Sequence, residues 1–155
     1  MRLPIITALL VTFSAAPISA EEITYRQLIK PLWTEKCLAC HGPHTPTIEE
    51  FDLAKDKYTN MSQGPRMDSY SSLIDFVGWP DNGALMRRLD DGKNSGGKAG
   101  NMYEKLGTDE AERQKNLALF KAWVGEDAWN LNRWNAKGNV PAITKEQMDK
   151  IKVAY

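Results

Sequence analysis

The chain has 155 residues, with 20 basic and 20 acidic side chains balancing to a formal charge of zero at neutral pH. That balance offers no basic field for nucleic acid. The length suits one small domain, and a mean hydropathy of −0.48 leaves it with a modest apolar core of its own.

Residues 1–20 read as a cleavable export signal. Arg2 supplies the positive start, residues 3–13 are mostly apolar, and Ala15-Ala16-Pro17-Ile18-Ser19-Ala20 forms a small-residue end, so cleavage is expected after Ala20. The apolar stretch is too short for a spanning helix, and no stable membrane anchor is expected after cleavage. Removal leaves 135 residues (155 − 20) and, because Arg2 departs, a formal charge of −1.

A first helix is predicted over residues 23–36, where Tyr25, Leu28, Ile29, Leu32 and Trp33 recur at helical spacing. Pro31 should kink it. It leads into Cys37-Leu38-Ala39-Cys40-His41, the C-x-x-C-H signature of covalent attachment of a c-type haem. On a helical turn Cys37 and Cys40 share one face, so both thiols can bond to one porphyrin edge. His41 follows at once, placed to reach the iron as proximal ligand. A thioredoxin-like redox pair would want a βαβ setting, which the sequence lacks. A zinc site would need Cys37, Cys40, His41 and His44 together, since no other Cys or His exists, and that crowding fits no usual zinc arrangement. Bacteria attach such a haem after translocation, so the signal and the motif support one another. One motif implies one haem c. With both thiols assigned to it no disulfide remains, and the cofactor must form a large part of the core.

Gly42-Pro43 should end the helical turn, and the backbone near Pro43 is expected to accept the His41 ring N–H. Residues 43–69 show no clear period and read as a loop along the haem edge, with one short helical turn near residues 49–57. Tyr58, Trp79 and Trp33 are candidate walls of the pocket. Short helices are expected over residues 70–77 and 80–90, the second carrying Leu85, Met86 and Leu89 inward. The glycine-rich run of residues 91–100 reads as an irregular, flexible loop with neither P-loop nor dinucleotide spacing. Thr108 is the expected N-cap of a helix displaying Leu117, Phe120, Trp123 and Val124 and stopping near Gly125. Trp129, Leu131, Trp134 and Pro141 continue as an irregular extension, and Thr144 with Gln147 predicts a capping box for a final helix holding Met148 and Ile151.

The second axial position on the iron separates a carrier from a catalyst, because a thioether there leaves no open site. Among six methionines, Met102 follows the glycine-rich loop, whose backbone can approach the porphyrin closely. Met86 and Met148 read as core filler. Met61 and Met67, in the irregular segment, remain open as ligands, and His44 lies too near His41 to cross easily to the opposite face.

A helix ending in C-x-x-C-H, a wandering middle, a Met-bearing loop and a final helix with Leu117, Phe120, Trp123 and Val124 resemble the class I c-type cytochromes over residues 22–125. The resemblance implies an all-α fold wrapped around one covalent haem, as residues 21–125, with residues 126–155 as an extension packed on the domain. In that family an aromatic on the first helix meets one on the last, and Tyr25 and Trp123 are the matching positions. Tyr103 stands where many members carry Pro after the ligand Met. The implied function is a periplasmic, monomeric electron shuttle between redox proteins, steered by Lys93, Lys98 and Lys105 beside the Met loop. The alternatives are a five-coordinate haem protein that binds or senses a small ligand or acts on peroxide, with His44 or Arg66 beside the open site, and a haem subunit docked on a larger oxidoreductase through the extension.

Overall fold

Pro31 divides the first helix into two geometries. A computed structural model describes residues 22–78, 83–131 and 144–155, and it opens with a π-helical turn, Tyr25–Ile29, followed by α1, Lys30–Lys36. The Lys30 N–H reaches back five residues to the Tyr25 carbonyl. Pro31 has no N–H to offer the Gln27 carbonyl and its ring needs room there, which a wider turn supplies. Thr24 caps the start by accepting from the Gln27 N–H at 3.3 Å. Tyr25, Ile29, Leu32 and Trp33 are buried as their spacing predicts, whereas Leu28 sits at the margin, 37% exposed. The chain pauses at Cys37 and resumes as α2, Leu38–His41.

The middle segment is more helical than its sequence suggests. In place of a loop with one turn it forms α3, Ile48–Leu53, and α4, Lys55–Asn60. Neither helix buries a residue, so no amphipathic period was there to read. A capping box of Thr47 and Glu50 starts α3, and a second, of Ser69 and Ser72, starts α5, Tyr70–Ile74. Helix α6, Ala84–Leu89, turns Ala84, Leu85, Met86 and Leu89 inward. Trp79 and Pro80, like the export segment and Trp134 and Pro141, lie outside the described residues.

After a 3₁₀ turn, Tyr103–Leu106, the longest helix among the described residues, α7, spans Glu110–Val124. Its N-cap is Asp109, whose carboxylate accepts from the Glu112 N–H at 2.8 Å, not Thr108. Thr108 instead donates through its backbone N–H and hydroxyl to Glu112 Oε2. Helix α7 crosses the first helix on two aromatic pairs. Tyr25 and Trp123 meet at 6.3 Å, and Trp33 and Phe120 meet edge-on at 6.1 Å. Such pairs contribute about 1 kcal/mol each beyond the area they bury.

Past Gly125, a 3₁₀ turn, Glu126–Leu131, buries Ala128 and Trp129. The expected capping box then opens α8, Lys145–Met148. Met148 is 37% exposed and is therefore not core filler, unlike Met86, which is fully buried. The last residues run back across the helix ends. Lys152 and Val153 N–H groups donate to the Val124 and Trp123 carbonyls, and the Ala154 carbonyl accepts from Tyr25 N–H and Trp123 Nε1. Orphan groups at a helix start and a helix end are thus satisfied by one strap. Among the described residues there is no strand, and no helix is long and apolar enough to cross a membrane.

Candidate haem-attachment site

The turn at Cys37 places the motif at the end of the first helix. Cys37 accepts backbone bonds from the N–H groups of both Cys40 and His41 at 3.1 and 3.0 Å, so the cysteines are held on one helical turn. Cys37 is half-buried and Cys40 exposed, and no disulfide joins them. Burial pushes the Cys37 thiol up to about 12, with a further rise from the Cys40 thiol beside it.

The His41 ring is buried and its orientation is fixed. Nδ1 lies 2.7 Å from the Pro65 carbonyl. A carbonyl only accepts, so Nδ1 carries the proton and Nε2 keeps the lone pair that a metal needs. The partner is Pro65 rather than the expected backbone near Pro43, because the loop after α4 doubles back over the motif. Its Gly64 N–H bonds to the Cys40 carbonyl at 2.8 Å, and its Met67 N–H to the His41 carbonyl at 2.9 Å. Pro43 itself is exposed. Only glycine fits at position 64, since a Cβ there would stand 2.2 Å from His41 Cε1. Burial lowers the His41 pKa, the Pro65 bond raises it, and the Arg88 charge lowers it again, with a net fall that keeps the ring neutral.

Trp33 lies 6.0 Å from the His41 ring, centroid to centroid, and its indole Nε1 is buried without a partner. A donor left over inside a fold is costly unless something meets it. Two thiols one turn apart, an imidazole with Nε2 free and an unspent N–H beside it are a donor set that fits a haem. Tyr25 belongs to the buried cluster with Trp33, while Tyr58 stacks on Phe51 at 6.3 Å in a separate group on α3 and α4. Trp79 is not among the described residues.

Met102 is half-buried and packs against the core. Its N–H donates to the Arg88 carbonyl at 2.9 Å, and Arg88 is the residue whose charge reaches His41. Gly100 makes this approach possible, because a Cβ would stand 2.3 Å from the Arg87 and Arg88 carbonyls. Met61 is 56% exposed, and buried Met67 belongs to the loop that holds the His41 side. His44 is exposed, and Arg66 is forked onto Asp68 at 2.6 and 2.9 Å.

Sequence reasoning missed three residues of this neighbourhood. Gly64 and Pro65 carried only the signal of a turn dipeptide. Asp90, 1% exposed, accepts hydrogen bonds from the loop after it, and the run Asp90-Asp91-Gly92 followed by Asn94 is an Asx-turn pattern that would have flagged it.

Comparison with known proteins agrees with this geometry. The family described as PccH Cytochrome c matches residues 24–155. Its match runs through the segment after Gly125, which is therefore part of the family's own architecture. The solved structure of monoheme cytochrome PccH from Geobacter sulfurreducens is 52% identical, covering 86% of this chain and 99% of that one, with a TM-score of 0.76. No curated protein matches. The chain belongs to the PccH cytochrome c family, and its single Cys37-x-x-Cys40-His41 motif makes the cofactor one covalently bound haem c.

Proposed function

We propose that this chain is a periplasmic electron shuttle, in which Cys37 and Cys40 would tether the haem and His41 and Met102 would ligate its iron. Bound haem supplies a one-electron iron couple. The protein's own residues do the rest. Pro65 holds His41 in the tautomer that leaves Nε2 for the metal, and Gly64 lets the loop lie flat against the ring. Trp33 and Phe120 exclude water between α1 and α7.

The observation that carries the reading is the suspension of Met102 from Arg88. It brings a soft thioether segment to the residue whose charge His41 feels. The five-coordinate alternative wants a side chain poised over an open site, and exposed His44 and the committed Arg66 do not offer one. Export by the segment at residues 1–20 would place the carrier in the periplasm. Redox proteins would dock as donor and acceptor, met by exposed Lys98 and Lys105. Lys93 contributes less, since its ammonium is paired with Asp91 at 2.8 Å. The chain would act as a monomer.

The test is the optical spectrum of the ferric haem protein. A weak near-infrared thioether-to-iron band in a low-spin spectrum, lost in Met102→Ala, is expected. High-spin ferric haem in the unsubstituted protein would overturn the reading.

A further inference from the structure

The carboxylate of Asp90 is 1% exposed, and the partners that meet it among the described residues are neutral hydrogen-bond donors. Oδ2 accepts from the N–H groups of Gly92 at 3.0 Å and Asn94 at 3.2 Å. Oδ1 accepts from Asn94 Nδ2 at 3.0 Å and from Trp129 Nε1 at 2.8 Å. Ser95 Oγ stands 3.2 Å from Oδ2 but has a shorter acceptor in the Lys98 carbonyl, at 2.6 Å. A carboxylate has about four lone-pair sites, and four donors fill them. Three come from the loop that runs from α6 to Met102. The fourth comes from a tryptophan beyond α7.

Both ends of that loop are tied to the same spot. The Asp90 carbonyl accepts from the Gly100 N–H at 2.8 Å, and the Arg88 carbonyl holds Met102. Trp129 is 2% exposed, and the Lys121 ammonium lies 5.5 Å from the centre of its ring. Burial pushes the Asp90 carboxyl up, and the hydrogen bonds from Asn94, Trp129 and Gly92 more than offset it, so the group sits below its usual range and stays ionised.

We propose that Asp90 and Trp129 form a lock that positions the Met102 loop, so that the segment after α7 controls how firmly the thioether is held. Both are positioning residues that act through the loop. The proposal rests on the reading of Met102 as a ligand of the haem iron.

Imidazole is the probe, because it occupies the iron only when the thioether leaves, and its affinity reports how often the loop opens. In the ferric haem protein, Trp129→Phe removes one donor from a charged acceptor, and imidazole should bind about tenfold more tightly. Asp90→Asn, which turns an NH₂ toward donors, should tighten it further and weaken the near-infrared band. Thr47→Ala, which removes the side-chain cap of α3 and leaves every bond of the lock in place, serves as control and should lower the urea midpoint with imidazole affinity unchanged. Should the band vanish in Met102→Ala while Trp129→Phe and Asp90→Asn bind imidazole like the parent, the lock is overturned and the ligand stands. Should the band persist in Met102→Ala, the ligand assignment fails and takes the lock with it. If Asp90→Asn does not fold, Trp129→Phe decides alone.

Discussion

Glu112 joins the two helices that frame the motif, and it does so as an anion. Its Oε1 meets the Lys36 ammonium at 2.6 Å and its Oε2 takes both donors of Thr108. The Lys36 hydrogen bond, followed by the Thr108 bonds, holds the carboxyl at about 2 against its ordinary 4.5. A group whose pKa is depressed in the folded state stabilises the fold fully above its unfolded value and loses that contribution as pH falls through its folded one. The contribution of Glu112 is therefore present above pH 4.5 and lost between 4.5 and 2. Glu112→Gln should show a smaller fall in urea midpoint between pH 5 and pH 3 than the parent protein does. Equal falls in the two proteins would show that the pair is not coupled to folding. Asp91, held at about 2 against burial by Lys93 and Gln114, titrates in the same window and remains in both proteins, so the parent's acid limb should flatten but not disappear.

Side-chain signals made some elements legible in the sequence, though the Thr47–Glu50 box that opens α3 stood in a segment without a helical period. Thr144 with Gln147 named the start of α8, and the burial stripe from Leu117 to Val124 named the inner face of α7. The start of α7 separates Thr108 from Asp109, both acceptable caps by residue type. The structure gives the role to Asp109 because Thr108 is already engaged with Glu112. Asp109→Ala should cost about 1 kcal/mol of unfolding free energy, and Thr108→Val less, since its backbone bond to Glu112 survives. The reverse order in urea titrations would restore the Thr108 cap. Contacts made by backbone were not legible, since a carbonyl has no residue signature. Pro65 reaches His41 and Ala154 reaches Tyr25 only because the chain doubles back. The irregular loop expected over residues 91–100 is wound around the Asp90 carboxylate, and one of the four ties to that carboxylate, Trp129, lies beyond α7.

The strap at residues 151–155 closes the whole molecule on itself. It caps the N-terminal π-turn, lies across the end of α7 and reaches α5, where the Tyr70 hydroxyl donates to the Val153 carbonyl at 2.8 Å. Val153 sits at φ 38, an unusual conformation for a β-branched residue. Its N–H and carbonyl are both bonded, to Trp123 and Tyr70, and these bonds hold it there. Tyr155 completes the cover, 4.9 Å from the Tyr70 ring and stacked 5.9 Å from Tyr25, with the Arg26 guanidinium 4.2 Å from its centre. Ending the chain after Lys150 strips Tyr25 N–H and Trp123 Nε1 of their acceptor and wets two rings that are now 4% and 0% exposed. The loss should be about 3 kcal/mol, from two unmet donors and uncovered aromatic area. In a protein of this size that lowers Tm by about 10 °C. No hydrogen bond runs from the strap to Asp90, so imidazole affinity in the ferric haem protein should stay at the parent value. A shortened chain that keeps its Tm would show that the strap adds no stability, and one that binds imidazole more tightly would show that strap and Met102 loop are one cooperative unit instead of two.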